Sequence, residues 1–148
     1  MEYLTTHDLV WINNSIIGEP QPYHYFNLEA SMAAQYSYGP SGNVPEQAAT
    51  LMERLIGKAP FEQGNLRTAY IATLTFLAAN GYASKVEDNV AAEIVRSVSN
   101  GTKSSLQAVS ELSSLAERSL DGGISLRKLI SHVCNRHSEA LKSLAEAD

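Results

Sequence analysis

Apolar positions along this chain recur at intervals of three and four, and the strict alternation of a half-buried strand is scarce. The first run, 7–17, carries Leu9, Val10, Ile12, Ile16 and Ile17, with Thr6 as its N-cap and Gly18 as its stop. A shorter helix is predicted over 28–35, behind the aromatic stretch "YHYF". Pro45 opens a third, in which Ala48, Leu51, Met52, Leu55 and Ile56 share a face until Gly57. The segment 65–80 is apolar nearly all round, through Ala69, Ala72, Leu74, Phe76 and Leu77, and closes at Gly81. A helix apolar on every side belongs in the centre of the domain.

Beyond it, Ser84 and Glu87 have capping-box spacing at the start of a stripe of Val86, Val90, Ile94 and Val98. Thr102 begins a helix with Leu106, Val109, Leu112 and Leu115. After "DGG" (121–123) a single last helix is predicted, with Leu126, Ile130, Val133, His137, Leu141 and Leu144 forming a seam. Such a seam needs a partner, either the body of the domain or a second copy of the chain. Between the second and third helices, "YSYGPSGNVP" (36–45) gathers turn formers into a loop or a small hairpin. The pattern predicts an all-α bundle over 1–120, followed by an additional helix within 121–148.

Composition narrows the picture without changing it. With 148 residues and 44% hydrophobic content the chain suits one domain with one core. Eleven basic against sixteen acidic residues give a net charge of −5 with no clustered Lys and Arg, so no nucleic-acid partner is expected. The single cysteine, Cys134, cannot close an internal disulfide, which makes the cytoplasm the default compartment. The longest apolar run, 69–79, is interrupted by Thr73 and Thr75 and falls short of the ~20 residues a bilayer requires, so no membrane partner is expected either. The opening "MEYLTTHDLVW" lacks the basic and apolar regions of a signal peptide.

The candidate chemistry lies in "APFEQGNLRTA" (59–69). Gly64 and Asn65 directly precede the central helix and Arg67 stands in its first turn, so free backbone N–H groups, the helix dipole and a guanidinium are aimed at one spot. That equipment suits phosphate, yet the stretch holds no histidine, cysteine or serine.

The wider segment "VPEQAATLMERLIGKAPFEQGNLRTAYIATLTFLAANGY" resembles the core of the Fic/Doc superfamily, in particular its Doc (death-on-curing) branch. There an Ala-rich helix leads into His-x-Phe-x-Asp-(Gly or Ala)-Asn-Lys-Arg-Thr-Ala and a buried helix ending in Asn-Gly. "YLTTHDLVWINNSIIG", "NLEASMAAQ" and "VEDNVAAEIVRSVSNGTKSSLQAVSELSS" resemble the family's flanking helices, so the likeness spans about residues 3–117. It implies a compact Fic/Doc bundle, with a flap hairpin in the place of "YSYGPSGN" that receives a target peptide by strand addition. It also implies transfer of a phosphate-containing group from a nucleotide to a protein hydroxyl, either AMP transfer or phosphorylation, with ATP or GTP and Mg²⁺ as the cofactor set.

Motif positions are only partly kept. Phe61, Gly64, Asn65 and Arg67 match, and the resemblance assigns phosphate binding to the last three. Ala59 stands where the family has its histidine base, Gln63 where it has the metal-binding acid, and Leu66 where Gly or Lys distinguishes the two chemistries. An engineered His→Ala change would account for Ala59 alone, whereas natural degeneration accounts for all three departures. Losing a general base costs about 10²–10⁴-fold in rate, and losing the Mg²⁺ carboxylate as well removes useful turnover. The expectation is a Doc-like toxin-family pseudoenzyme with no catalytic residue and no metal site, binding phosphate or nucleotide, an antitoxin-like or target protein, or a second copy through the last helix. The alternative is an active modifier that recruits its base from elsewhere, such as His24, or its acid from Glu62. The family's inhibitory helix pairs Glu with a following Gly or Asn, and no Glu in this chain is so followed.

Overall fold

The structure, a computed structural model, describes residues 1–36, 43–116 and 124–148. Its elements in chain order are α1 (Thr6–Ile17), α2 (Tyr25–Met32) with a 3₁₀ turn (Ala33–Gln35), α3 (Val44–Lys58), α4 (Asn65–Ala79), β1 (Tyr82–Ser84), α5 (Asp88–Ser99), α6 (Ser105–Leu112), β2 (Ser113–Leu115), α7 (Leu126–Arg136) and α8 (Ser138–Ala145). The mostly helical character expected from the periodicity is present. Most of the stretch expected to hold a hairpin, and "DGG", lie outside the described residues.

The centre of the bundle is α4. Eleven of its fifteen residues are buried, from Leu66 to Leu77, and Tyr70, Ile71 and Phe76 are wholly enclosed. Around it pack α1, α3 and α7, with α5 and α8 touching its flanks. One continuous core runs from Leu4 and Leu9 through Leu51, Met52 and Phe76 to Leu129, Ile130, Val133, Ala140 and Leu144. The apolar seam of the last segment is therefore spent on the body of the domain, where burying each large side chain contributes about 1.5–3 kcal/mol. Arg127 adds a polar stitch from α7 to α1, lying 4.3 Å over the Trp11 ring and 3.6 Å from Asp8.

Local chemistry moves several boundaries. Thr5, not Thr6, caps α1, because its side chain and that of Asp8 form a reciprocal capping box. Helix α2 starts three residues ahead of the predicted point, because the His24 ring accepts the Asn27 N–H. Ser84 and Glu87 make no capping box: Tyr82–Ser84 are captured as β1 by antiparallel pairing with Ser113–Leu115, and α5 begins only after Glu87. Thr102 opens no helix, because its hydroxyl and amide turn back onto Asn100 and Ser97; α6 is capped by Ser104. Leu115 accordingly leaves the helical stripe for β2 and is exposed. The predicted last helix is two, broken at His137, whose backbone departs from helical values (φ −107°, ψ 26°) while its ring is held in the core.

Candidate functional site

The loop from α3 to α4 is built by its end residues. Ala59 ends α3 in the left-handed conformation (φ 42°), an unusual choice for a residue with a Cβ, and is exposed. Phe61 is buried and wedges the loop against the core. Asn65 closes it: its side-chain carbonyl accepts the Phe61 N–H at 2.9 Å, and its amide donates to the Phe61 carbonyl at 2.7 Å. On the outside, the chain at Tyr23 runs antiparallel to the loop, with the His24 N–H bonded to the Pro60 carbonyl and the Glu62 N–H to the Pro22 carbonyl. Strand pairing with the motif loop thus comes from the segment before α2, a feature that no alternation in "PQPYHYF" announces.

Gly64 is the N-cap of α4 at φ 80°, and a Cβ there would lie 2.8 Å from the Ile17 side chain. Both conformation and space call for glycine. Its lack of a side chain leaves the first turn of α4 without a local cap. The vacancy is met from far along the chain: Asp148 takes the Leu66 N–H on Oδ1 at 2.9 Å and the Arg67 N–H on Oδ2 at 3.1 Å. Arg67 Nε adds a charge-assisted bond of 2.8 Å to the same Oδ2. The Asp148 side chain is 6% exposed and that of Arg67 15%, so water screens this pair weakly.

The sequence-derived site residues therefore divide. Arg67 faces the anion, and Gly64 sets the helix start that exposes the amides, but the Asn65 side chain is occupied by Phe61. Leu66 contributes its amide while its side chain is buried in the core, which explains an apolar residue at that position. Gln63 is exposed, and its carbonyl accepts from Asn13. Glu62 is likewise exposed. His24 uses Nδ1 to cap α2, so its second nitrogen is the one open to other work. Asp148 was missed by sequence reasoning; no spacing rule links it to a turn more than eighty residues earlier.

Beside Arg67 an open cleft of about 260 Å³ runs between α1 and α8, lined by Ser15, Ile16, Cys134, Leu141, Lys142 and Ala145. Two cations, Arg67 and Lys142, border it. Burial pushes the Cys134 thiol above its ordinary range, which favours the protonated form. Among the described residues no three His, Cys, Asp or Glu side chains are grouped to hold a metal ion, and no helix is long and apolar enough to cross a membrane.

A second polar cluster lies deeper on α4. His137 Nδ1 is 3.1 Å from both Asp88 Oδ1 and the Tyr70 hydroxyl, and Asp88 Oδ2 accepts the Ala140 N–H at 3.2 Å. The carboxylate favours the tautomer with Nδ1–H donating to Asp88. Burial lowers the His137 pKa from its ordinary value while the bond to Asp88 opposes that shift; burial also drives the Tyr70 phenol far above its usual range. The adjoining cavity, about 40 Å³, is small and is lined by His137 but by neither Tyr70 nor Asp88.

No family model, curated protein or solved structure significantly matches this chain.

Proposed function

We propose that the chain is a cytoplasmic, Doc-like toxin-family protein whose transferase centre is degenerate and which acts by binding a phosphate-bearing ligand at the start of α4. The observation that carries this reading is the convergence of the Leu66 and Arg67 amides and the Arg67 guanidinium on one carboxylate. A carboxylate and a phosphate oxygen pair present the same acceptor geometry to such donors, and the helix dipole favours either. The cleft bordered by Arg67 and Lys142 gives the remainder of a nucleotide a place beside the phosphate. Ala59 and Gln63 supply neither a base nor a carboxylate for Mg²⁺, so the role is binding: of a nucleotide, of an antitoxin-like or target protein, or of a second copy of the chain.

Calorimetric titration with ATP and GTP, in Mg²⁺ and in EDTA, tests this directly. Binding is expected in both media and is lost in Arg67→Ala. Absence of saturable binding in the parent chain and in Asp148→Asn alike would sink the reading. Label moved from nucleotide to protein in a cell extract, and abolished by Arg67→Ala, would replace it with an active modifier.

A further inference from the structure

The His137 ring has two nitrogens, and only one of them is spent inside the fold. Nδ1 faces Asp88 and the Tyr70 hydroxyl, whereas the cavity of about 40 Å³ between α4, β1 and α7 is walled by His137 but by neither of those partners. The opposite edge of the ring, which carries Nε2, is therefore the one that meets the cavity. We propose that this cavity is a site for the hydroxyl end of a short-chain hydroxycarboxylic acid, held by His137 Nε2 and Ser84 Oγ, with the carboxylate at Arg136. It lies along the second half of α4, at Leu74, Leu77 and Ala78, and is independent of the phosphate reading at the start of that helix.

Two polar atoms at this wall lack partners. Among the described residues the His137 ring is hydrogen-bonded only at Nδ1. Asp88 fixes the ring proton there and burial lowers the His137 pKa, so Nε2 carries a lone pair. Ser84 Oγ is buried without a hydrogen-bond partner. Ser113 lines the same cavity but is already satisfied, because its hydroxyl donates to the Val109 carbonyl at 3.0 Å. Leaving a buried hydroxyl unpaired costs stability, and a ligand that pairs it recovers the loss.

These two atoms define the group that fits between them. A ligand hydroxyl donates to Nε2 and accepts from Ser84 Oγ with one oxygen. An ammonium cannot accept, and a carboxylate would set its own lone pairs against that of Nε2.

The rest of the wall decides the other end. Leu74, Leu77, Ala78, Leu129 and Val133 supply apolar surface for methylenes. His132 and Arg136 also line the cavity but are exposed, which puts them at its mouth, and no Asp or Glu among the described residues lines it. A guanidinium at the exit pairs with a carboxylate. The enclosed volume is a few times the ~10–15 Å³ that one water needs, so the hydroxyl and the first carbons fit inside and the carboxylate stays at the mouth.

Ring-nitrogen NMR of the full chain reads His137 directly, with glycolate, β-hydroxypropionate and γ-hydroxybutyrate as probes. At least one should shift the Nε2 resonance saturably at ~1–10 mM, while propionate, which lacks the hydroxyl, and propanediol, which lacks the carboxylate, should bind at least ~10-fold more weakly. Ser84→Ala should weaken hydroxy-acid binding at least ~10-fold without loss of stability, since it removes an unpaired hydroxyl. Arg136→Gln, at an exposed position, should cost a similar factor for the hydroxy acid and nothing for propanediol. Absence of a saturable shift with every hydroxy acid would leave the cavity to water and overturn the proposal. Propionate binding as tightly as β-hydroxypropionate would overturn the place of the hydroxyl at Nε2, and unchanged affinity in Arg136→Gln would overturn that of the carboxylate. Because Arg136→Gln leaves the buried wall intact, the test stands even if Ser84→Ala fails to fold.

Discussion

Two polar clusters, three residues apart on α4, tie the last helices to the body of the protein. At Arg67 the tie is a carboxylate from an exposed turn, next to an open cleft. At Tyr70 it is a ring and a hydroxyl sealed in the core, meeting His137 at the α7–α8 break and, through it, Asp88. Their donors and acceptors are similar in strength, but their surroundings differ. The Tyr70 side chain is wholly enclosed by the core, whereas the Arg67 pair borders the open cleft. The two ion pairs are buried to a similar degree, so what separates them is the open cleft beside Arg67 and the full enclosure of Tyr70.

The contrast breaks most visibly at Tyr70. Tyr70→Ala should destabilise the fold by about 3–5 kcal/mol through a cavity and a bereft His137, measured by urea unfolding, while Arg67→Ala should cost less, about 1.5–3 kcal/mol, by removing the charged partner of a nearly buried carboxylate. Equal losses would erase the distinction. Gly64→Ala should follow at about 1–3 kcal/mol, because the left-handed conformation and the Ile17 contact both oppose a Cβ. It should also impair ATP binding, since the amide geometry of α4 starts there.

The pH response should come from the buried cluster. Burial lowers the His137 pKa in the folded chain below its ordinary 6.5, so the unfolded chain takes up the proton first as pH falls. His137's contribution is complete above roughly pH 6.5 and is lost progressively as pH falls from there through the folded-state value. Denaturant midpoints between about pH 7.5 and 5.5 should fall in the parent and flatten in His137→Gln. An unchanged slope in that variant would remove His137 as the cause.

Smaller effects sharpen the other side. Asp148→Asn should cost about 1–2 kcal/mol, the upper part of the range for a charge at a helix N-terminus, because this carboxylate is nearly buried. Ala59→Gly should stabilise by about 0.5–1 kcal/mol by relieving the positive φ at the end of α3. A loss of stability in Ala59→Gly would mean that the left-handed turn is not the strained point.

Legibility of the fold followed the range of the interactions. The apolar surround of 65–80 marked α4 as the centre, and Gly18, Pro45 and Gly81 punctuated α1, α3 and the end of α4, because period and local turn chemistry act within a few residues. Ser84 with Glu87 misled for the same reason. A capping box competes with strand pairing to Ser113–Leu115, and that partner lies too far along the chain for spacing to reveal. The seam from Leu126 to Leu144 has one helical period, yet it breaks where the His137 ring is drawn between Tyr70 and Asp88.

The candidate site divides along the same line. By itself the sequence determined that a glycine and an arginine stand at the start of a buried helix, and that the loop before it offers no histidine, cysteine or serine. These are properties of residue type and local spacing. Only the tertiary structure decided that Asn65 turns inward to Phe61, that Leu66 lends an amide and hides its side chain, and that Asp148 supplies the anion. A helix with an uncapped first turn needs an acceptor, but which acceptor arrives depends on how α8 packs against α5, a long-range outcome that no local pattern encodes.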